Sequence, residues 1–395
     1  MAQNLHLRVL MLTWEYPPRI IGGISRVVEG LSKALVNQSH EVHIITPEMP
    51  GTLLEDNDHG VFIHRVPIET PTPTFQAWTM MMNHYFAKRV GRLVKETGDF
   101  DIVHAHDWLV LPAAAETKAF CNTCLVSTLH SLEYKRSGGI QTPETSMTES
   151  LEWWLTYESS QVTVCSNSMK EDTVTRFRVP ESKISIIPIG VNSEKYKNVH
   201  PNRDQVRLRY GISSDETMVL FVGRLTRQKG CEYLINAIPQ VPRRLNAKLV
   251  VVGDGSLRSE LETLAVSAGI SKIMFAGFVS EKELDELYLS SDLLVIPSVY
   301  EPFGVVALEA MAAGLPVVAS NVDGLGEIII HDFNGVLAYP RDSSSIAWGI
   351  TKVLSDENNT RRLIENAKLD IRSRFSWDAV ARKTVEIYLK AITPS

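Results

Sequence analysis

Residues 293–320, LLVIPSVYEPFGVVALEAMAAGLPVVAS, indicate how the carboxyl-terminal half of this chain folds. The stretch begins and ends with apolar runs of strand length, residues 293–297 and 316–319. Between them, small apolar residues predict a tightly packed helix that begins after Gly304 and ends near Gly314. Strand, helix and second strand in this order are the unit from which a parallel sheet is built.

Two glutamates of this stretch are candidate ligand-binding residues, Glu301 before the helix and Glu309 within it. Glu301 follows a strand, and ligands of open α/β sheets bind beyond the carboxyl ends of strands. The first amides of the helix, at Gly304, Val305 and Val306, favour a phosphate. Glu309 lies roughly 8 Å farther along the helix, where a carboxylate could accept both hydroxyls of a ribose. The alternative is that Glu309 pairs with a cation and Glu301 is a solvated charge.

The whole segment, with the turn Pro302-Phe303-Gly304 before its helix, resembles the donor-binding motif of retaining glycosyltransferases of family 4 and of their glycogen and starch synthase relatives. The resemblance implies an α/β protein with the GT-B fold, two Rossmann-like doubly wound parallel-sheet domains that face a central cleft. It also implies that Glu301 positions the donor sugar and has a catalytic role, that Glu309 holds the ribose, and that the segment from Phe303 to Val306 contacts the donor.

Composition sets limits on the class of protein. A chain of 395 residues exceeds the usual size of one hydrophobic core, so two domains are expected. The net charge of −6 argues against nucleic-acid binding. The amino terminus has no cationic region before Glu15, and no apolar run of 18 residues or more occurs, so we expect neither a signal peptide nor a transmembrane segment.

The four cysteines favour a reducing, cytoplasmic compartment. Cys121 and Cys124 form a Cys-x-x-Cys pair, whereas Cys165 and Cys231 lie elsewhere in the chain. A structural zinc site needs four ligands, so the pair is half a motif. We therefore expect these cysteines to be packing residues and no metal or cofactor to be bound.

Alternating strands and helices predict a doubly wound parallel sheet in each half of the chain. The polar stretch 190–205 is the expected link, so we predict an acceptor domain of residues 1–195 and a donor-binding domain of residues 196–375. The resemblance implies that the last helix, residues 376–395, crosses back to the first domain. Strands are expected at 7–13, 42–46, 61–68, 101–106, 124–130, 162–165, 184–188, 218–222, 249–252, 273–278, 293–297 and 316–319, with a short one after residue 335. Helices are expected at 24–37, 75–96, 111–120, 144–160, 169–177, 231–241, 257–267, 281–290, 344–354, 360–374 and 377–391.

Arg224 and Lys229, in GRLTRQKG after the strand at 218–222, form a second candidate group. Fixed cations at the carboxyl end of a strand could meet the charge of a leaving diphosphate. The sequence is neither a Walker loop nor a dinucleotide fingerprint. Taken alone it fits a solvated surface, but the resemblance implies that both residues bind the donor phosphates and take part in catalysis.

Gly22 and Gly23 lie in the loop after the first strand, where glycines would let amides approach the donor closely. A tight turn would have the same composition. Glycogen and bacterial starch synthases carry Lys-x-Gly-Gly in this loop. Here Ile20 stands at the lysine position and Arg19 precedes it, which brings the chain nearer to family 4 itself.

His130 ends the strand at 124–130, and the resemblance implies that it contacts the donor sugar near its C6 hydroxyl and is catalytic. The segment HAHDW offers His104, His106 and Asp107. We expect His104 and His106 to face opposite sides of their strand, which would separate them as metal ligands. His106 and Asp107 are interpreted as acceptor-side lining residues.

Two further features are a rejected motif match and an aromatic residue with two interpretations. The sequence Asp99-Phe-Asp101 matches the Asp-x-Asp metal motif of another glycosyltransferase fold, but it precedes its strand, at the end of the sheet away from ligands. Phe278 ends a strand that we expect beside the donor helix, where it would either stack on the donor base or pack in the core.

Aromatic residues after His130 are candidates for an acceptor groove, since sugars favour aromatic faces. They are Tyr134, together with Glu133 of the same loop, and Trp153, Trp154 and Tyr157 farther along. The core of a helix explains the last three equally well.

The sequence as a whole is typical of a retaining hexosyltransferase that moves glucose from ADP- or UDP-glucose to an α-glucan or related sugar, as glycogen synthases do. WEYPPRIIGG and HSLEYKRSGG are most similar to members of that type. Transfer to a lipid, a cell-envelope sugar or a small sugar phosphate is the alternative within the enzyme class. A nucleotide-sugar-binding protein without turnover is the alternative outside it. No lysine motif for the pyridoxal cofactor of a phosphorylase is found.

Overall fold

The structure, a computed structural model, describes residues 6–267, 269–270 and 272–393. The chain divides into two compact units. Unit 1 ends at Gly190 and resumes at Trp377, and unit 2 is Val191–Ser376. The predicted boundaries, after residues 195 and 375, lie within five residues of these positions.

The strands of the described residues follow the predicted order. They are β1 Arg8–Leu12, β2 Glu41–Pro47, β3 Glu55–Asp58, β4 Val61–Val66, β5 Ile102–His106, β6 Cys124–Leu129, β7 Gln161–Val164, β8 Ile184–Ile186, β9 Thr217–Val222, β10 Ala247–Val252, β11 Ile273–Gly277, β12 Leu293–Ile296, β13 Val317–Ser320 and β14 Val336–Ala338.

Helices alternate with these strands and close the chain. They are α1 Ile24–Asn37, α2 Phe75–Thr97, α3 Leu111–Cys121, α4 Glu133–Arg136, α5 Pro143–Glu158, α6 Asn167–Phe177, α7 Arg203–Arg209, α8 Cys231–Ala237, α9 Arg258–Ser267, α10 Glu281–Ser290, α11 Val305–Ala313, α12 Leu325–Ile328, α13 Ser343–Ser355, α14 Glu357–Arg374 and α15 Trp377–Ile392.

Each unit contains one doubly wound sheet, which confirms the predicted fold class. In the described part of unit 1 the strand order is β3-β4-β2-β1-β5-β6-β7-β8, and the pairs are parallel except for β3 with β4. In unit 2 the order is β11-β10-β9-β12-β13-β14, with parallel pairs. The chain reverses direction across the sheet between β1 and β5 in unit 1 and between β9 and β12 in unit 2. These are the topological switch points where ligands of such sheets bind.

Local sequence signals explain where several of the helices begin. Helix α1 has the predicted bounds because its apolar residues recur at helical spacing, and Val28, Leu31 and Leu35 are buried on one face. Helix α5 begins with a capping box. The Thr142 hydroxyl accepts a hydrogen bond from the Thr145 amide, and the Thr145 hydroxyl accepts one from the Thr142 amide. These caps satisfy amides that the helix itself leaves open.

The polar segments are where sequence and structure differ. Strand β3 was not predicted, because its residues are charged or amidic, and it pairs antiparallel with β4 at the edge of the sheet. Helix α7 lies in the stretch 190–205 and beyond it, which we interpreted as a link; the Asn202 side chain caps its first turn. The short helices α4 and α12 were also missed.

Helix α15 packs against unit 1, as the resemblance implied for the last helix. Its Trp377 ring fills space that a side chain at Gly30 or Gly190 would need, because a Cβ at either position would come within 2.5 Å of the ring. The Tyr388 hydroxyl is 2.7 Å from His104 Nδ1 of β5. Val380 and Ala381 join the same buried cluster as residues of β1, β2 and β4.

None of the helices in the described residues is both long and apolar enough to cross a membrane.

Candidate functional site

The loops that follow β9 and β12 meet at the switch point of unit 2 and form an ion pair there. Lys229, in the loop after β9, has its Nζ 2.6 Å from Oε2 of Glu301, in the loop after β12. Both side chains are largely buried. Lys229 and Glu301, both predicted site residues, are 72 positions apart in the sequence. In the structure they form one ion pair.

The backbones of the two loops also contact each other. The Gln228 carbonyl accepts from the Val299 amide at 2.9 Å, and a Cβ at Gly230 would lie 2.2 Å from the Pro297 carbonyl oxygen. Gly230 has φ +61°, so only glycine fits both its conformation and the close approach. This contact fixes the position of Lys229 relative to Glu301.

Further polar groups orient Glu301. The Ser298 hydroxyl donates to the same carboxylate oxygen, Oε2, at 3.1 Å. The Glu301 amide donates to Asp323 Oδ2 at 3.2 Å, and its carbonyl accepts from the Gly324 amide at 3.1 Å. Neither Ser298 nor Asp323 was predicted. Ser298 lies two residues after β12 and Asp323 three residues after β13, and this position after a strand is the signal in the sequence.

Helix α11 begins four residues after Glu301, and Gly304 is its N-cap. Gly304 has φ +114°, and a Cβ there would lie 2.5 Å from Leu325 Cδ2, so the helix start requires glycine. The first amide of this segment that bonds back to Gly304 O is that of Ala307, at 2.9 Å. The amides of Val305 and Val306 precede it and can point to a ligand, as the first amides of a helix do.

Glu309 is buried in α11, and its Oε2 accepts a hydrogen bond from the Tyr288 hydroxyl at 2.9 Å. Tyr288 comes from α10 and is itself fully buried. The carboxylate is thus held in one orientation by a neighbouring helix, which is what a ligand-binding side chain in a helix requires.

Arg224 is exposed on the loop after β9, two residues beyond the end of the strand. The loop after β10 holds this loop in place. A Cβ at Gly253 would lie 2.0 Å from the Gly223 carbonyl oxygen, and one at Gly255 would lie 2.5 Å from that of Leu225. The sequence Gly253-Asp254-Gly255 after β10 is the signal in the sequence for this close approach.

Phe278 corrects one expectation. It follows β11, which is the edge strand of its sheet and is separated from β12 by β10 and β9, so its strand does not lie beside the donor helix. Its side chain is 88% exposed, so the core-packing alternative is wrong. Stacking on a donor base stays a prediction.

In unit 1 three histidines lie together at the carboxyl ends of β5 and β6. His104 and His106 do not face opposite sides of their strand, as expected. Residues two apart share a face, and their ring centroids are 4.2 Å apart. His106 Nδ1 is 3.2 Å from His130 Nε2, and His104 Nε2 is 2.7 Å from the Thr128 hydroxyl. Burial lowers the pKa of His130 to about 4 and that of His104 to about 3, so both rings are neutral near pH 7.

Asp107 is buried behind His130 instead of lining an open surface. Its Oδ1 accepts from the His130 amide at 3.1 Å, and its own amide donates to the Thr128 carbonyl at 2.9 Å. Asp107 has φ +67°, a left-handed conformation that is strained for a non-glycine residue. Burial raises the pKa of its carboxyl to about 6. Its observed role is to hold the loop that carries His130.

The side chains of the neighbouring residues Glu133 and Tyr134 have different surroundings. The Glu133 carboxylate is buried and paired with Arg136, and its amide donates to the Glu152 carboxylate at 2.9 Å. Burial raises the pKa of Glu152 to about 9, with Asp107 as a second cause. Tyr134 points the other way, and its hydroxyl donates to Asp172 of α6.

The loop after β1 that contains Gly22 and Gly23 is hydrogen-bonded to the carboxylate of Glu15, a residue of the same loop. Oε2 of Glu15 accepts from the amides of Ile21 and Gly22 at 2.6 and 2.7 Å, and the Glu15 side chain is buried. Neither Gly22 nor Gly23 has a positive φ, and a Cβ at either would meet no atom closer than 3.5 Å. Within unit 1, therefore, neither the backbone conformation nor the available space at Gly22 and Gly23 excludes a larger residue.

Trp153, Trp154 and Tyr157 are exposed by 48%, 39% and 68%, so the helix-core interpretation of these rings is wrong. The opposite face of α5, which carries Leu151 and Leu155, makes the core contact. Both tryptophans line an open depression of about 1050 Å³ between α5 and α6.

Within residues 6–267, 269–270 and 272–393, no group of three or more His, Cys, Asp or Glu side chains is arranged so that it could hold a metal ion. Asp101 Oδ2 accepts from the Arg8 amide at 2.7 Å, at the amino ends of β1 and β5, in agreement with the rejection of the Asp-x-Asp match. Cys121 and Cys124 are partly exposed, and Cys165 and Cys231 are buried.

Two family models match the chain, one in each half. Residues 21–195 match the model described as Glycosyltransferase Family 4, and residues 202–370 match Glycosyl transferases group 1.

Relatives match over nearly the whole length. An uncharacterized glycosyltransferase of Methanocaldococcus jannaschii is 43% identical over 97% of this chain and 98% of its own. The glycogen synthase of Mycobacterium tuberculosis is 34% identical over 98% of this chain and 95% of its own. Among solved structures, sucrose-phosphate synthase from Thermosynechococcus elongatus superposes with a TM-score of 0.83 at 25% identity, covering 98% of this chain and 100% of that one.

Proposed function

This chain is a member of glycosyltransferase family 4 with the GT-B fold, and from that premise we propose that it transfers glucose from a nucleotide-diphosphate glucose to an α-glucan with retention of anomeric configuration. The observation that carries the proposal is the Lys229–Glu301 pair at the switch point of unit 2, with the first residue of α11, Val305, four residues after Glu301.

Unit 2 supplies the groups that a diphosphate needs. An ammonium has three N–H donors, so Lys229 can bind Glu301 and still donate to phosphate oxygens. The amides of Val305 and Val306 add donors at the positive end of the helix dipole. Arg224, exposed on the same loop as Lys229, adds a second cation. Glu309, oriented by Tyr288, would accept the ribose hydroxyls.

Glu301 and His130 would position the transferred sugar. Glu301 is held by Ser298 and Lys229, so its second carboxylate oxygen can accept from a sugar hydroxyl. His130 is neutral at pH 7 and can exchange a hydrogen bond with a hydroxyl without adding charge. His106 and Asp107 fix the ring and the backbone of His130 respectively.

The chemical step breaks the bond between the anomeric carbon and the β-phosphate oxygen and forms one from the same carbon to an acceptor hydroxyl oxygen. The acceptor proton passes to the departing phosphate oxygen, whose growing charge the cations and amides stabilise. Attack on the same face as departure retains the configuration. Glu301 belongs to the diphosphate side and is poorly placed for the covalent intermediate of a double displacement.

The glucan acceptor is supported by the 34% identity to a glycogen synthase over nearly the full length of both chains. No metal is required in this proposal, because Lys229, Arg224 and the α11 amides meet the charge of the diphosphate. Activity should therefore persist in excess EDTA. Complete loss of activity that a divalent ion restores would contradict this part of the proposal.

The direct test incubates the purified protein with glycogen and either ADP-glucose or UDP-glucose. We expect release of the nucleotide diphosphate together with incorporation of labelled glucose into the polymer, and loss of both in Glu301→Gln. Turnover with fructose 6-phosphate or a lipid acceptor, but none with glycogen, would reject the glucan. Tight donor binding without release in the presence of any acceptor would reject an enzyme.

The stereochemical part has its own test. Proton NMR of the first product formed on maltotriose should show a new α-linkage. A β-linked product would contradict retention, and a glucosyl group found on Glu301 by mass spectrometry would contradict same-face transfer.

A further inference from the structure

The depression between α5 and α6 contains none of the residues assigned to donor binding or to the chemical step in the proposed function. It has a volume of about 1050 Å³ and lies wholly within unit 1. Its walls come from α5, α6 and Tyr134 of α4. Tyr134 is four residues after His130, so one wall continues the loop that carries a proposed sugar-positioning residue.

Aromatic faces form the apolar part of this depression. Trp153 and Trp154 are consecutive residues of α5 that are both exposed and both line the depression, and Trp153 stacks on Tyr157 with ring centroids 5.7 Å apart. Trp154 is held by a hydrogen bond from its Nε1 to Glu158 at 3.1 Å. Met147 extends the surface by two helical turns, roughly 10 Å along the axis. The rings are therefore exposed and also fixed in orientation.

Polar side chains surround these rings. Glu149 pairs with Arg176, whose guanidinium lies over the Tyr134 ring, 5.0 Å from its centroid. Tyr134 in turn donates to Asp172. The lining holds carboxylates, guanidinium groups and the hydroxyls of Ser150 and Thr175, so both donors and acceptors face the space.

We propose that this depression is a binding site for a segment of α-glucan chain, an inference that rests on the proposed function. The CH face of a pyranose ring packs on an indole face, and its equatorial hydroxyls reach the carboxylates and guanidinium groups around it. An apolar floor with a few convergent polar groups is the usual form of a small-ligand site. A polymeric acceptor extends beyond its reacting end, and this site would hold such a segment.

The charge of the lining favours a neutral ligand over other occupants. Three carboxylates, of Glu149, Glu171 and Asp172, face two guanidinium groups, of Arg176 and Arg178. An anionic lipid surface or a nucleic acid would require a clear excess of cations. A glucan carries no charge and is compatible with this mixture.

The test is electrophoresis in native gels polymerised with and without glycogen. We compare the wild type with the double variant Trp153→Ala/Trp154→Ala. Trp348→Ala is the matched control, because Trp348 is also 48% exposed but lies in unit 2. Glycogen should retard the wild type and Trp348→Ala equally. The dissociation constant of the double variant should rise by about tenfold or more, since two aromatic faces are removed.

Kinetics separate this inference from the proposed function. With maltotriose as a short acceptor, kcat and KM of the double variant should stay within about twofold of wild type, while the apparent KM for glycogen rises by about tenfold. If the double variant is retarded as strongly as wild type, the inference is wrong even though transfer occurs. If wild type is retarded through these tryptophans but no donor is turned over, the proposed function fails and the binding site remains.

Two further outcomes would overturn the inference. Co-sedimentation of the wild type with vesicles of phosphatidylcholine and phosphatidylglycerol, lost in the double variant, would assign the rings to a membrane surface. A dimer in analytical ultracentrifugation that becomes a monomer in the double variant would assign them to a second copy of the chain. Circular dichroism of each variant establishes that the fold is retained.

Discussion

At the scale of single residues, the proposed donor site depends on a cation that is already paired. Lys229 and Glu301 are 2.6 Å apart and both are largely shielded from solvent. Because water screens such a pair only weakly, its geometry persists when the site is empty. The pair therefore places an ammonium where a phosphate would bind, before any ligand arrives.

Lys229→Ala should weaken binding of the nucleotide diphosphate by about 10- to 100-fold, because a charge-assisted hydrogen bond contributes about 1.5–3 kcal/mol. Calorimetry with ADP and UDP measures it. Lys352→Ala is the control, since Lys352 also makes a 2.6 Å ion pair in unit 2, with Asp332. Equal affinities in the two variants would remove Lys229 from the diphosphate site.

The proton positions of the histidine pair follow from burial. Among the described residues, His106 Nε2 is buried and has no hydrogen-bond partner. A buried N–H without an acceptor is rarer than an unsatisfied lone pair. His106 therefore carries its proton on Nδ1 and donates to His130 Nε2, which leaves the His130 proton on Nδ1, free to donate to a sugar oxygen.

Two-bond ¹⁵N–¹H NMR of histidine-labelled protein should show the Nδ1–H tautomer for His130, with loss of this preference in His106→Ala. The exposed His200 gives the reference for an unconstrained ring. An Nε2–H tautomer for His130 would reverse the direction of the proposed hydrogen bond.

The buried carboxyl of Glu152 predicts a pH dependence of stability. Its folded pKa is raised to about 9 from an ordinary value of 4.5, so the folded protein keeps a proton that the unfolded chain releases between these values. Stability therefore falls as pH rises through that window, by up to about 1.4 kcal/mol per pH unit. Glu152→Gln should reduce the loss between pH 5 and pH 8, measured by urea unfolding, whereas Glu171→Gln, which is exposed, should not. A wild type that is equally stable at both pH values would contradict the assignment.

Sequence reasoning identified residue types better than their surroundings. Strand and helix ends that can be read from the sequence placed Lys229 and Glu301 in loops after strands and Glu309 within a helix, as the structure has them. The roles of these residues at a donor site come from the resemblance and stay predictions. Sequence reasoning misplaced His104 and His106, whose shared face follows from the two-residue period of a strand. It did not find Glu15, since the bonds from this carboxylate to loop amides depend on a fold that no local pattern specifies.

At the scale of elements, the start of α11 is set by one glycine. Gly304 combines φ +114° with a contact to Leu325 that leaves no space for a Cβ. The direction of the α11 amides, and so the proposed phosphate site, depends on that conformation.

Gly304→Ala should lower the free energy of unfolding by about 1–3 kcal/mol and also weaken nucleotide-diphosphate binding. Gly91→Ala in α2 is the control, because no atom lies within 4 Å of its added Cβ and alanine favours a helix by about 1 kcal/mol. Thermal unfolding and calorimetry measure the two effects. A Gly304→Ala protein with wild-type stability and affinity would show that the helix start tolerates a side chain.

Elements with apolar periodicity were predicted well, and polar ones were not. Helices α1 and α10 have the predicted bounds, since buried residues recur along them. Strand β3, with sequence EDND, is held by its pairing with β4 at a sheet edge, where solvent accepts charged side chains. Helix α7 begins within the stretch 190–205 that is predicted as a link, and its residues RDQVRLR are mostly charged. In both cases tertiary contacts decide the structure.

At the scale of the whole molecule, the proposed diphosphate-binding groups belong to one unit. Arg224, Lys229, Glu309 and the α11 amides all lie in Val191–Ser376, which has its own sheet and buried core. A compact unit with a core of its own can fold alone.

Residues 191–376 expressed alone should fold cooperatively and bind nucleotide diphosphate within about tenfold of the full chain. Residues 1–190 alone should be unstable, because they lack the α15 residues Tyr388, Val380 and Ala381 that complete their core. Circular dichroism and calorimetry test both fragments. A stable 1–190 fragment or an unfolded 191–376 fragment would contradict the division.

The discontinuity of unit 1 has a consequence during synthesis on the ribosome. The chain leaves unit 1 at Gly190 and returns with Trp377, whose ring occupies the space beside Gly30 and Gly190. Translation therefore delivers all of unit 2 before the helix that closes unit 1. Since domains fold as they emerge, the second unit to be translated is the first that can be completed. Until α15 is translated, the apolar face of unit 1 that Val380, Ala381 and Tyr388 cover stays exposed. This is the interval in which the nascent chain would most need a chaperone.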